Sequence, residues 1–522
     1  MEQRKYQIQK QNMKKDLLEK IIGISYTLMM SIILGVCLFG NNIDYARKIY
    51  IICAEPILLF GGILFISILV VTLYWMWSHV LKNKNLGNKV LLFFSILLLL
   101  FQSYCVWNYF FTTGWDVWTI MAASEAVAHG GSLQDYQEYF SVYPNNLLLV
   151  WLYGTLIRFF DLVKINFRIG ILFFQCVLSW GTGLILFGCV ERILKSRHAA
   201  WFAWILYLIL VGMSPWVSIP YSDSIGLIFP IFILWLYIRA REENTNKKCL
   251  YVGIIGLLTM IGYRIKPQIV IVVIAICIIS LVYMLRDLKQ ILKMFISMSA
   301  GLLIAMILVS TCIQSLNMEV NSNRTYGITH FLMMGMNYSE VNGVWNLEDV
   351  EFSGSFDTLK ERKEANLQVT KERIKEMGIP GMVHLMRRKI LTNYNDGTFC
   401  WGGEGNFFWE ILSKKNSCFA QFLRNIYYTK NWDRGYYKWF SNFELMVWIA
   451  ILFFGILSVF QNKKELSVIM LAVIGLTVFE LLFEPRARYL YTYAPFYIIL
   501  AVSGIQMIIK RNQYYYQWKE KL

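Results

Sequence analysis

The chain has 522 residues, 57% of them hydrophobic and only 16% charged, with 50 Lys and Arg against 34 Asp and Glu. So small a charged share, against about a quarter in soluble domains, joined to apolar runs of about 20 residues, excludes a soluble globular protein and implies a polytopic membrane protein. The net charge of +16 falls mostly in short loops between apolar runs, as the positive-inside rule expects, and so argues for topology rather than a nucleic-acid partner.

The basic N-terminal tail (Arg4, Lys5, Lys10, Lys14, Lys15) is expected in the cytoplasm, followed by spans near 21–39, 51–77 and 90–111. The first run is a full span with no cleavage motif after it, and Val36 before Cys37 argues against a lipoprotein site. Lys82, Lys84 and Lys89 fill the inner loop before the third span, which therefore delivers Asp116, between Trp115 and Trp118, to the outside. The segment 111–146 has no Lys or Arg and four acids, Asp116, Glu125, Asp135 and Glu138, as an external loop would. If 145–161 crossed fully, the basic stretches at 191–198 and 239–248 would face outward. It is therefore expected to be re-entrant or interfacial. Later spans are expected near 169–190, 199–214, 221–238, 249–263, 268–285, 294–315, 443–460, 465–483 and 489–509, for a total of about 12 with both termini inside. This divides the chain into a membrane region 1–315, an external, mainly helical segment 316–442, and a second membrane region 443–522. In the external segment, 358–378 has helical i,i+4 charge spacing (Lys360 with Glu364), and Gly378-Ile379-Pro380-Gly381 should end that helix. There is no internal repeat and no low-complexity linker. Many of the ten cysteines lie in apolar runs, none is paired in C-x-x-C fashion, and the five histidines lack ligand spacing, so neither a disulfide framework nor a metal site is indicated.

Ionisable residues collect at the expected outer lips. Asp116 reads either as an interface anchor beside its indoles or as a general base for a hydroxyl held there. Asp223, in "PYSDS", reads either as a helix cap or as a functional acid. Arg264, Lys266, Arg486 and Arg488 run against the scarcity of bases in outer loops. They would answer either to internal acids, Glu480 or Glu484, or to a lipid-borne phosphate. A carboxylate to activate a hydroxyl and cations to hold a departing phosphate suggest glycosyl transfer from a lipid-phosphate sugar.

Several blocks, in order, resemble the integral-membrane GT-C glycosyltransferases, in particular a Gram-positive bacterial group akin to the protein mannosyltransferase and aminoarabinose transferase types. They are "GWDVWTIMAASEAVAHG", "YFSVYPNN", "PYSDS", "HFLMMGMN", "NDGTFCWGGEGNF" and "EPRARYLYTYAP". The resemblance implies an all-α polytopic GT-C type fold in the bacterial cytoplasmic membrane with an extracellular active site. It implies an inverting transfer from a polyprenyl-phosphate-linked sugar to a cell-surface glycan or lipid-linked acceptor, such as a teichoic acid. Asp116 would be the base, and Asp223 would orient a substrate. Arg264, Lys266, Arg486 and Arg488 would hold the donor phosphate. Tyr143, Asn145, Tyr221, His330, Asp396, Trp401 and Glu404 would line the sugar or acceptor groove, with His330 equally readable as structural. No cofactor is required; a divalent cation is compatible, although Asp116 lacks an adjacent second acid. A flippase or transporter, which would want charges deep in mid-span, and a polymerase or ligase of lipid-linked glycans are the alternatives.

Overall fold

A computed structural model describes residues 2–40, 52–77, 83–108, 111–284, 287–339, 342–404, 408–411, 417–428, 436–461 and 463–519. The first membrane region comprises α1 (Glu2–Phe39), α2 (Glu55–Met76), α3 (Lys84–Asn108), α4 (Asp116–Ala128), α5 (Gln137–Val142), α6 (Leu147–Leu162), α7 (Phe167–Leu194), α8 (Arg197–Tyr207), α9 (Ser222–Gly226), α10 (Ile228–Glu242), α11 (Thr245–Ile265), α12 (Val270–Met284) and α13 (Leu288–Gln314). The segment that follows holds α14 (Ile328–Gly335), α15 (Leu347–Gly354), α16 (Leu359–Tyr394), α17 (Trp401–Glu404) and α18 (Cys418–Tyr427). The chain closes with α19 (Tyr436–Ile456), α20 (Lys464–Leu482), α21 (Arg488–Tyr491) and α22 (Ala494–Lys519). The protein is an all-α polytopic membrane protein. Among the described residues ten helices are long and apolar enough to cross a bilayer, and Arg197–Gly212 and Ala494–Lys510 are shorter apolar helices.

Long-range contacts give each helix its direction. Trp107 stacks 6.4 Å from Phe173, Gln102 donates to Ser179 at 3.0 Å, and Arg197, just beyond α7, bonds Asn88 near the start of α3. Thus α7 runs antiparallel to α3 and begins at the end where α3 finishes. Between them, the start of α6 lies by Tyr139 through Asn146, whereas its far end is pinned to α4 by Arg158 on the Val127 carbonyl (2.5 Å) and Asp161 on His129 (3.1 Å). Helix α6 therefore starts and finishes on one face, as the re-entrant or interfacial reading of 145–161 expects. The basic stretches around Arg192, Arg197, Arg239 and Arg241 gather at the opposite end, tied by Arg192–Glu242 (2.7 Å) and Arg241–Glu465 (2.6 Å).

Burial separates the helices into layers. The span Ser222–Glu242 is 78% buried over its apolar window, whereas Leu288–Gln314 is 17% buried. The first is a central strut. The second lies at the periphery, where its exposed Leu303, Ile304 and Ile307 suit hydrocarbon as well as any core would. It leans on α11 so closely that a side chain at Gly301 would collide with the Gly253 carbonyl, which is why small residues stand at that crossing.

Three features depart from expectation. The helix beginning at Leu359 is capped by Thr358, which exchanges bonds with Glu361, and breaks at Gly378 (φ 54°) as anticipated, but it resumes through Pro380 to Tyr394. Proline is tolerated there because it falls in the first turn of the resumed helix. A short antiparallel ladder, β1 (Phe111–Thr113) with β2 (Phe408–Ile411), ties the first loop to the later segment. The last long segment also ends earlier than 442, since α19 begins at Tyr436.

Candidate active site

Asp116 is the first residue of α4, following Trp115 in extended conformation. Its Oδ2 accepts the Tyr221 hydroxyl at 2.7 Å, and the Tyr139 hydroxyl lies near enough to feel the same carboxylate. Burial first, and the Asp116 charge second, push the Tyr139, Tyr143 and Tyr221 hydroxyls up, so all three stay protonated. Asn146 donates to the Tyr139 oxygen at 2.8 Å and receives the exposed Asn145 amide at 3.1 Å. Tyr143 lies 5.3 Å from Tyr139, half-buried. The acid is thus held by phenols on one side of a polar string that reaches the surface at Asn145.

Arg488 faces the same wall. Its guanidinium carbon lies 4.5 Å from the Trp115 ring centre and 5.5 Å from those of Tyr221 and Tyr489, a three-sided aromatic setting. Burial pulls its affinity for a proton down, but Glu404 and Asp223 outweigh that and hold the group charged, well above its usual value. Its Nε is 3.9 Å from Glu404, beyond hydrogen-bond range, and both Nε and Nη1 are buried without a hydrogen-bond partner. Buried N–H groups of a cation left open in this way are expensive unless a ligand answers them.

The other bases differ. Arg486 is spent on Glu404 (3.4 Å) and Glu484 (3.2 Å). Lys266, 3% exposed, pairs with Asp223, 1% exposed, and lies 4.8 Å over the Tyr489 ring, while Tyr489 donates to Glu484 at 3.3 Å. Burial lowers the Lys266 pKa, with Asp223 opposing. Asp223 lies in the first turn of α9, yet its second oxygen is buried and unpartnered. The expected choice between internal acids and an external phosphate therefore divides by residue: Arg486 and Lys266 are matched within the protein, whereas Arg488 is left with capacity. Arg264, in the last turn of α11, is joined to this cluster by no ion pair or hydrogen bond among the described residues.

Three of the groove residues expected from the sequence are structural where they stand. Trp401 is fully buried, donates to the Tyr427 carbonyl at 2.7 Å and packs edgewise on Trp216, which leaves no ring face for a sugar. Asp396 accepts the backbone N–H groups of Thr398 (2.8 Å) and Cys400 (2.9 Å). It thereby holds a turn in which Phe399 and Cys400 both have positive φ (54° and 67°). That strained turn, capped by Trp216 on the Phe399 carbonyl at 3.1 Å, aims Glu404 at the arginines. His330 is 1% exposed and bonds Ser353 at 2.7 Å inside the segment; burial lowers its pKa to about 4.

Sequence reasoning missed Tyr139, Tyr489 and Lys389. Lys389, on α16, is fully buried and donates to the carbonyls of Leu481 and Phe483, both at 2.8 Å. These carbonyls close α20 and open the loop carrying Arg486 and Arg488. Nothing local marks such a lysine, since its partners lie 92 and 94 residues away in the chain.

Residues 15–508 match the family described as "Conserved hypothetical integral membrane protein", and the chain belongs to that family. No curated protein matches the sequence. Among solved structures, the archaeal oligosaccharyltransferase AglB from Archaeoglobus fulgidus, in complex with an inhibitory peptide and a dolichol-phosphate, is similar over 82% of this chain and 52% of its own, at 11% identity and a TM-score of 0.37. This chain thus spans about half the length of that protein.

Proposed function

We propose that this integral-membrane protein is an inverting glycosyltransferase of the GT-C kind, working at the outer face of the bacterial cytoplasmic membrane. The donor is a polyprenyl-phosphate sugar and the acceptor a hydroxyl of a cell-surface glycan or lipid-linked polymer, with a teichoic-acid type polymer of a Gram-positive wall the leading candidate. One observation carries the reading: the Asp116 carboxylate and the open guanidinium of Arg488 share a wall made by Tyr221 and Trp115. A base and an anion holder set side by side suit a displacement in which one oxygen gains a bond to carbon and another departs on phosphorus.

In that step the acceptor oxygen attacks C1 of the sugar and its proton passes to Asp116. The C1–O bond to phosphate breaks with its electron pair on the phosphate oxygen, and Arg488 takes up the charge that develops there. Inversion follows from a single in-line displacement. Glu404 and Glu484 set the positions of the two arginines, and Asp223 with Lys266 braces the floor beneath Tyr489. Tyr143 and Asn145, at the outer end of the phenol string, are the acceptor-side residues.

The test is sugar transfer by the purified full-length chain, supplied with several polyprenyl-phosphate hexoses and with wall-polymer acceptors. Arg488→Gln should raise KM for the lipid donor and lower kcat/KM by about 10–100-fold, the worth of one or two hydrogen bonds to a charged group. Unchanged donor kinetics would remove Arg488 from the phosphate. Movement of lipid across vesicles without any transfer would replace the enzyme reading with a flippase.

A further inference from the structure

At the opposite end of the bundle from Asp116, α2, the start of α8 and α22 enclose a cavity of about 210 Å³. Its body is apolar, lined by Leu73, Phe202, Val502 and Ile505, all nine-tenths or more buried. Its polar groups are few, and three of their atoms are buried without a partner. Trp201, 4% exposed, has its indole N–H buried without a partner, and the same is true of His198 Nε2 and Gln506 Oε1. His198 is itself clasped by aromatic rings, with Trp77 at 3.6 Å and Tyr74 at 6.3 Å. At the rim stand exposed Lys510 and Tyr74, beside the N-terminal turn of α8 that Ser196 caps.

We propose that this cavity is a binding site for a lipid with a phosphate headgroup. An apolar chamber with a few convergent polar atoms is the usual form of a ligand site. Here the chamber is too small for a whole lipid but suits the proximal part of one chain, the remainder lying along exposed α2 in the bilayer. The donors point to an anion: a lysine at the rim, an indole N–H, the positive end of a helix and the His198 imidazole in its Nε2–H tautomer. Neutral lipids would leave the Lys510 ammonium at the rim unmatched, and free phosphate would leave the chamber unfilled. The site shares no residue with the Asp116 cluster and does not depend on glycosyl transfer.

Native mass spectrometry of the detergent-purified full chain decides it, with phosphatidic acid, diacylglycerol of the same chains, and inorganic phosphate as probes. Phosphatidic acid should be retained about tenfold more tightly than diacylglycerol, with inorganic phosphate unable to displace it. The double variant His198→Ala/Lys510→Gln should lose about tenfold in phosphatidic acid affinity. Lys510→Gln alone alters an exposed residue and leaves folding untouched, and should by itself lose about threefold. Equal retention of the two lipids, full displacement by inorganic phosphate, or wild-type affinity in Lys510→Gln would each overturn the assignment.

Discussion

Asp116→Asn separates a catalytic carboxylate from an interface anchor. Asparagine keeps the volume and a carbonyl oxygen to accept the Tyr221 hydroxyl, now at 2.7 Å, so the geometry of α4 and its indoles should survive. What it loses is the capacity to take a proton, because the position facing the acceptor becomes an amide. Removal of a positioned general base costs about 10²–10⁴ in rate. That corresponds to roughly 3–5 kcal/mol in the barrier. The expected result is a kcat lower by that factor, with donor KM within about threefold of the parent and an unchanged melting temperature. The assay is single-turnover transfer of radiolabelled sugar from a polyprenyl phosphate, followed at saturating acceptor. Transfer at the parent rate would leave Asp116 as an anchor among aromatic residues and refute the base. A loss of rate accompanied by a collapse in melting temperature would refute the claim that Asp116 is structurally dispensable.

Three further outcomes follow from buried groups. Lys266→Met should destabilise the protein by about 3–5 kcal/mol, because it strands Asp223, and the double variant with Asp223→Asn should recover much of this in thermal melts. His330 binds a proton near pH 4 in the folded chain and 6.5 unfolded, so the unfolded state holds more protons between those values. Stability should therefore fall as pH drops through that window, by roughly 3 kcal/mol, and His330→Asn should abolish the slope. Lys389, lowered by burial to about 7 from 10.5, also binds fewer protons folded than unfolded. Stability should then rise between pH 7 and 10.5 by roughly 5 kcal/mol, while Lys389→Met should flatten the curve and, by freeing the Leu481 and Phe483 carbonyls, weaken transfer.

How much of this was readable beforehand depends on the range of the forces. Spans and their alternation follow from local hydropathy and from where the bases fall, and the re-entrant or interfacial reading of 145–161 follows from keeping basic loops on one side. The crowding of acids and bases at "PYSDS", around Arg264 and Lys266, and at "EPRARY" was legible for the same reason. Which arginine keeps an open guanidinium was not, because it depends on Glu404 arriving from a strained turn far along the chain. Trp401 illustrates the reverse error. An aromatic near an acid resembles a sugar platform in one dimension, yet Trp216 and the Tyr427 carbonyl enclose it in three. Arg362 likewise looks like a surface charge on a soluble helix but is 1% exposed and donates to the carbonyls of Ser353, Asn323 and Phe356, holding the segment together.

The ladder between Phe111–Thr113 and Phe408–Ile411 has a consequence for biosynthesis. The strand beside Asp116 emerges from the ribosome early, and its partner follows only after three hundred further residues. Tyr221 arrives first, then Glu404, and Arg488 comes last, just ahead of the closing helix. Each piece is threaded into the membrane before the next exists, so a nascent chain carries the acid long before it carries the cation. On the reading proposed above, the acid and the cation meet only once the segment carrying Arg488 has been made and has packed against Trp115 and Tyr221, so the order of synthesis delays assembly of the site.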